Sequence, residues 1–350
     1  MKQYVHTLQL GIFFVSNLVF GQVPQGYYNA AENKSDQDLR AALHNIIDDH
    51  SGFSYTSSST DTWDILKESD ADPNNPNNVI LIYTRESVNG NQEYAGGDGW
   101  NREHVWAKSR GDFDTRIPEG SDVHNLRASN IGVNSTRLNY SFDDCTSNSC
   151  DETYGNYYNS SVFEPRDEDK GDVARIIFYM DVRYEGDDGE LDLEVNENIP
   201  SVSSKLPYHG VLSTLLEWHE LDPVDDFERN RNDVIYSYQG NRNPFIDHPN
   251  LVDFLWGDQQ QVEWSSTLTS SLELEKANLV FPNPVSAAYL NIKSDLNPNH
   301  IEVFDVQGKK LNVFNGALKQ IKTPAVPGIY FLRFHFDHNV IHKKIIVGSM

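Results

Sequence analysis

"WNREHVWAKSRG", residues 100–111, sets a carboxylate and an imidazole side by side, Glu103 and His104, between Trp100 and Trp106 with basic residues on both sides. We read it as the end of a strand followed by a loop. Neighbouring side chains on a regular strand point to opposite faces, so Glu103 and His104 can serve one site only where the strand ends or twists. The two tryptophans are read as core residues.

Downstream, "SDVHNLRASNIGVNSTRLNYSF" (121–142) carries His124, Asn125, Asn130, Asn134 and Asn139 among Arg127 and Arg137. So many amide and guanidinium groups are unusual for a core helix. The helix bearing Asn134 must pack against the strand end if the two stretches are to share a site. These residue types suit hydrolysis of a phosphodiester, which at neutral pH needs a base to activate water and a hard cation to absorb charge on the phosphate and the leaving oxygen. A histidine titrates near pH 6.5 and can accept that proton, which makes His104 the candidate base. Glu103 and Asn134 offer oxygen ligands with one formal charge between them, leaving water and phosphate oxygens to complete an octahedron around Mg²⁺. The order Glu-His, rather than a helical His-Glu-x-x-His, disfavours a zinc peptidase.

Charge restricts the partners. The whole chain of 350 residues has a formal net charge of −24, against a broad basic face for nucleic acid. Residues 100–140 nevertheless hold six basic and five acidic residues, whereas residues 141–200 hold four and 17. The neighbourhood of the motif is thus spared the surrounding acidity, and a polyanionic substrate is permitted.

Residues 1–21 read as a signal peptide: Lys2, an apolar run from Leu8 to Phe20, then Gly21. That run is too short to span a bilayer well, and no other stretch approaches transmembrane length. Cys145 and Cys150, the only cysteines, are expected to close a small disulfide loop in an exported protein. Helices are expected from Ser35 to His50, with Ser35 as N-cap, over 171–184, and within "GVLSTLLEWHE", "VDDFERNRNDVIYSYQ" and "NLVDFLWG". "NVILIYTR" (78–85) reads as a buried strand. Helices outnumber strands here, and the fold class is α+β. Residues 258–275 are polar and read as a linker, and short alternating strands beyond it suggest a small β-sandwich.

"NREHVWAKSR" with "DVHNLRASNIGVNSTRLNYSF" resembles the bacterial endonuclease I family, secreted or periplasmic nucleases with a ββα-metal core. "FEPRDEDKGDVARIIFYMDVRY" (163–184) and "EWHELDPVDDFERNRNDVIYSYQGNRNPFIDHP" (217–249) extend the likeness over most of residues 23–256. The resemblance implies His104 as general base, with Glu103 and Asn134 binding the divalent metal, Mg²⁺ or another such as Ca²⁺ or Mn²⁺. "KSRGDFDTRIPEG" (108–120) departs from the family, which often has a cysteine-rich loop here. Arg110 and Arg116 are therefore candidates for phosphate, beside the better-aligned Arg137. His124 and Asn125 are expected to support the site from behind, and Asn241 and Arg242 to stabilise a buried turn.

"ANLVFPNPVSAAYLNIKS", "IEVFDVQGKKL" and "PGIYFLRF" followed by "HKKIIV" resemble the type A sorting domain of the type nine secretion system. Residues 276–350 carry nine basic and four acidic residues. The expected organisation is a leader at 1–21, a mainly helical nuclease domain with a ββα-metal core at 22–257, a linker at 258–275, and an all-β sorting module at 276–350. The expected partners are nucleic acid, DNA or RNA, and the secretion machinery, with the product secreted or held at the cell surface after outer-membrane export. A noncatalytic secreted protein that only binds polymer or surface is the alternative.

Overall fold

The structure is a computed structural model that describes residues 23–97, 99–146, 149–187, 189–266, 285, 288–292, 300–306, 309–316, 319–336 and 339–348. The leader read at residues 1–21, the linker residues 267–275 and the start of the C-terminal module at 276–284 lie outside the described residues. Contacts divide the chain into two units, Met1–Trp264 and Ser265–Met350.

The first unit mixes helices with small sheets. Helix α1 (Asp36–Ile47) buries Leu39, Leu43 and Ile47, as its apolar spacing requires. Ser35 stands at its N-cap without a side-chain cap bond. Helix α2 (Thr62–Ser69) opens on a reciprocal capping pair: the Asp61 side chain accepts from the Trp63 and Asp64 amides, and Asp64 accepts from the Asp61 amide. A three-stranded sheet follows, β1 (Ala71–Asp72), β2 (Asn75–Ile80) and β3 (Ser87–Asn89), in that spatial order. The strand expected over 78–85 stops at Ile80. Beyond it only Ile82 makes an isolated parallel bridge, to Ser129.

Strand β4 (Trp100–His104) pairs antiparallel with β5 (Leu126–Asn130), in the register Trp100↔Asn130, Arg102↔Ala128 and His104↔Leu126. Helix α3 (Ile131–Arg137) follows β5 directly, because the Asn130 side chain caps the Gly132 and Val133 amides at 2.9 and 3.2 Å. Trp100, Leu126 and Ala128 anchor the strand pair in a core shared with Ile65, Leu66, Val79 and Ile235. Four short strands come next: β6 (Ser141–Phe142), β7 (Asp151–Thr153), β8 (Asn156–Tyr158) and β9 (Val162–Glu164). The Cys145–Cys150 disulfide closes the loop between β6 and β7.

Helix α4 (Lys170–Arg183) is buried on every side. Its charged residues are tolerated there because each is paired: Lys170 with Glu164, Asp172 with Arg127, Arg175 with Glu228, Asp181 with Arg40 and Arg183 with Glu190. The parallel pair β10 (Glu194–Asn196) and β11 (Tyr208–Val211) precedes α5 (Leu212–Leu221), α6 (Asp226–Gln239), α7 (Pro244–Asp247) and α8 (Leu251–Leu255). Asn241, between α6 and α7, donates to the Ile47 carbonyl and the Tyr179 hydroxyl, and Arg242 pairs with Asp233 and Asp247. That is the buried turn expected of them. Trp264, within the stretch read as linker, is fully buried and its amide donates to the Lys34 carbonyl at 2.8 Å. An indole with that much apolar surface draws its segment onto the core, so the first unit extends to residue 264.

In the second unit β12 (Tyr289–Asn291), β13 (His300–Phe304), β14 (Lys310–Asn315), β15 (Gln320–Lys322), β16 (Gly328–Phe336) and β17 (Asn339–Val347) form two antiparallel sheets, β12–β15 and β14–β13–β16–β17. Leu290 and Ile321 of one sheet share a core with Ile301, Val303, Leu332 and Phe334 of the other. No helix of the described residues is long and apolar enough to cross a membrane.

Candidate active site

Glu103 and His104 are the last two residues of β4, opposite Arg127 and Leu126 of β5 in the antiparallel pair. The His104 Nε2 lies 2.9 Å from the Gly120 carbonyl. A carbonyl only accepts, so Nε2 carries the hydrogen and Nδ1 of the neutral ring keeps the lone pair. Gly120 can approach this closely because it lacks a side chain: a Cβ there would meet backbone atoms of Asp114 and Thr115 at 2.5–2.6 Å. Tyr55 lies nearly parallel to the imidazole, with centroids 5.5 Å apart. The same tyrosine ring carries the Arg102 guanidinium at 3.4 Å. Arg102 and His104 are two apart on β4 and project to one face, so one aromatic ring spans both. Burial pushes the His104 imidazole down to about 4, with Lys108, Arg102 and Arg137 acting in the same direction and the Gly120 bond opposing.

Glu103 is 2% exposed and His104 7% exposed, whereas Asn134 is only partly buried. The Glu103 Oε1 accepts from the Tyr83 hydroxyl at 3.0 Å and lies 3.1 Å from the Arg137 Nε. Burial raises the Glu103 carboxyl, while Arg137 and Tyr83 pull it back. Both partners fall on one oxygen, so Oε2 remains for another group. Asn134, on α3, donates from Nδ2 to the Asn101 Oδ1 at 3.1 Å and to the Arg102 carbonyl at 3.4 Å. This ties α3 to β4 one residue from Glu103 and leaves the Asn134 Oδ1 as an acceptor. A carboxylate oxygen and an amide oxygen are a donor set that fits a hard dication.

The three arginines divide. Arg137 is buried, and besides Glu103 it meets the carbonyls of Leu138 and Val105 and the His209 Nε2, with the Phe142 ring beneath it at 4.6 Å. Arg110 is buried too, its two terminal nitrogens donating to the carbonyls of Ser201, Ser204, Asn139 and Pro200. Neither presents a guanidinium to solvent, which departs from the phosphate contact expected of them. The reason is the same for both: each satisfies carbonyls of an irregular loop that has no ladder to bond to. Arg116 is exposed and makes one long hydrogen bond, from Nε to the Phe113 carbonyl at 3.4 Å.

Asn125 clamps the chain just beyond His104, accepting from the Trp106 amide at 2.6 Å and donating to the Trp106 carbonyl at 3.2 Å. His124 is buried against Tyr179, with Nε2 3.3 Å from the Asn241 carbonyl. Trp100 and Trp106 are fully buried, as core residues. Sequence reading missed Tyr55, Tyr83, Gly120 and His209. Nothing in the local sequence said that the Gly120 carbonyl would face an imidazole.

A family model described as Endonuclease I matches residues 35–250, and one described as Secretion system C-terminal sorting domain matches residues 279–348. The chain is similar to an extracellular ribonuclease of Bacillus subtilis (strain 168), 52% identical over 231 residues, which is 66% of this chain and 78% of that protein. An extracellular ribonuclease of Bacillus amyloliquefaciens is 51% identical over the same shares. Endonuclease-1 of Buchnera aphidicola is 25% identical over 131 residues, 36% of this chain and 46% of that protein.

Proposed function

Starting from the fact that this chain belongs to the endonuclease I family and ends in a secretion sorting domain, we propose a mechanism for it as an exported, sequence-nonspecific endonuclease of DNA and RNA. That it is a nuclease follows from the family. Two relatives named as extracellular ribonucleases support RNA among its substrates and release to the outside or the cell surface.

In this reading β4, β5 and α3 are the ββα-metal core. His104 is the general base: its Nδ1 takes a proton from the attacking water, while the Gly120 carbonyl holds the ring through Nε2–H. That hydrogen bond is the observation that carries the assignment, since it fixes which nitrogen is basic. Glu103 and Asn134 would hold a divalent cation, Mg²⁺ for preference, through their side-chain oxygens. When bound, that ion stabilises charge on the phosphate and on the departing 3′ oxygen, so the products carry 5′ phosphates. Arg137 positions Glu103, and the exposed Arg116 grips phosphate. No residue of the set needs a 2′ hydroxyl, which suits both polymers. The leader at residues 1–21 and the sorting module together direct outer-membrane export.

The test is a gel with plasmid and with ribosomal RNA, each with Mg²⁺ or with EDTA. Metal-dependent cutting of both is expected; no cutting of either would leave only a polymer-binding role.

A further inference from the structure

His44, near the C-terminal end of α1, shares no residue with the site around His104. It is 4% exposed, and its Nδ1 lies 3.0 Å from the Val182 carbonyl, in the last turn of α4 where carbonyls lack helical partners. The carbonyl can only accept, so Nδ1 carries the hydrogen and Nε2 of the neutral ring carries a lone pair. Yet Nε2 faces carboxylates: the Asp187 Oδ2 at 3.0 Å and the Asp48 Oδ2 at 3.9 Å. A lone pair aimed at two further sets of lone pairs is repulsive unless a positive charge sits among them.

Asp48 is fixed in this arrangement. Its Oδ1 accepts from the Arg183 Nη1 at 2.7 Å, and the same nitrogen meets the Glu190 Oε2 at 2.5 Å. Asp48 and Glu190 flank that guanidinium and Asp187 adds a third carboxylate at the imidazole, an excess of two negative charges that a dication balances and a single imidazolium does not. Ligand atoms of one cation with bonds of about 2.0–2.1 Å sit roughly 3–3.5 Å apart; here the ring nitrogen is 3.0 Å from Asp187 and 3.9 Å from Asp48, and all three atoms lie within 4.8 Å of one another. A ring nitrogen whose partner N–H is anchored on a backbone carbonyl is also the usual setting of a metal-bound histidine.

We propose that His44 Nε2, Asp48 Oδ2 and Asp187 Oδ2 form a second cation site, structural in role, that pins the end of α1 to the loop after α4. One imidazole and two carboxylates select a first-row dication, Zn²⁺ in particular, over an all-oxygen ion such as Ca²⁺. Asp187 is half-exposed, with 53% of its side chain accessible, so water completes the coordination.

The experiment uses the full chain, stripped with EDTA, in an Asn134→Ala background that weakens the site at Glu103. Zn²⁺ is titrated by calorimetry and counted after desalting. Adding Asp187→Asn, at an exposed position that leaves the fold intact, should remove one equivalent of Zn²⁺ and abolish the Zn²⁺-induced rise in Tm. His44→Asn should do the same. Equal zinc content and equal Tm response with and without Asp187→Asn would overturn the proposal. So would nitrogen NMR showing His44 hydrogen-bearing at both ring nitrogens in the zinc-saturated protein.

Discussion

Arg137 turns inward: its Nε stands 3.1 Å from the Glu103 Oε1, both side chains almost wholly buried. This pairing makes the arginine a positioning group for the carboxylate. Arg137→Met will leave Glu103 buried and uncompensated and will cost about 3–5 kcal/mol, read from urea unfolding. Arg116→Ala, at an exposed position, will change stability by no more than about 0.5 kcal/mol while raising KM and flattening the salt dependence of cleavage. The reverse pattern, a stability loss at residue 116 and a KM effect alone at residue 137, would exchange their roles.

His104→Ala will lower kcat by about 10²–10⁴-fold, the usual worth of a positioned base, on plasmid and RNA alike. Far-ultraviolet circular dichroism and Mg²⁺ affinity will stay near those of the unmutated chain. Turnover close to normal would remove His104 from the mechanism.

Gly120→Ala forces a methyl group to within 2.6 Å of the Thr115 backbone, so the loop and its carbonyl must shift. The His104 ring then loses the acceptor that fixes its tautomer. Activity should drop at least about tenfold, with a rise in KM as well because Arg116 lies in the same loop, its carbonyl accepting from the Gly120 amide. Single-turnover rates measured beside KM will show whether the loss falls on chemistry.

Buried His124 is pushed down to about 3, chiefly by burial against the pull of Asp122. Its folded value lies below the unfolded 6.5, so between those values the unfolded chain binds more protons. Its contribution is therefore complete above about pH 6.5 and is lost as pH falls towards 3. Comparing the chain with His124→Gln by urea unfolding at pH 7 and pH 4.5, the advantage of histidine should shrink by on the order of 2 kcal/mol. An advantage that is flat over this interval would show that the ring is protonated in the folded state.

EDTA should stop cleavage and Mg²⁺ restore it. Asn134→Ala, which removes one of the two proposed oxygens, should raise the Mg²⁺ concentration needed for half-maximal rate while leaving the rate at saturating Mg²⁺ less affected. An unchanged Mg²⁺ requirement would take Asn134 out of the ligand set.

The adjacency of Glu103 and His104, the amide-rich stretch up to Asn134 and the core helix at 170–183 are all features of local order. They were legible because periodicity, caps and motif spacing act over a few residues. The strand end at His104 and the Asn130 cap that starts α3 belong to the same class. Tertiary structure alone decided where the polar groups turned. The Tyr83 hydroxyl arrives from 20 residues before Glu103, and Arg110 reaches carbonyls about 90 residues on. Nothing in the local sequence distinguishes Arg110 and Arg137 from an exposed arginine such as Arg116. A buried cation must find acceptors or destabilise the fold, and which acceptors come within reach is settled only when distant segments pack.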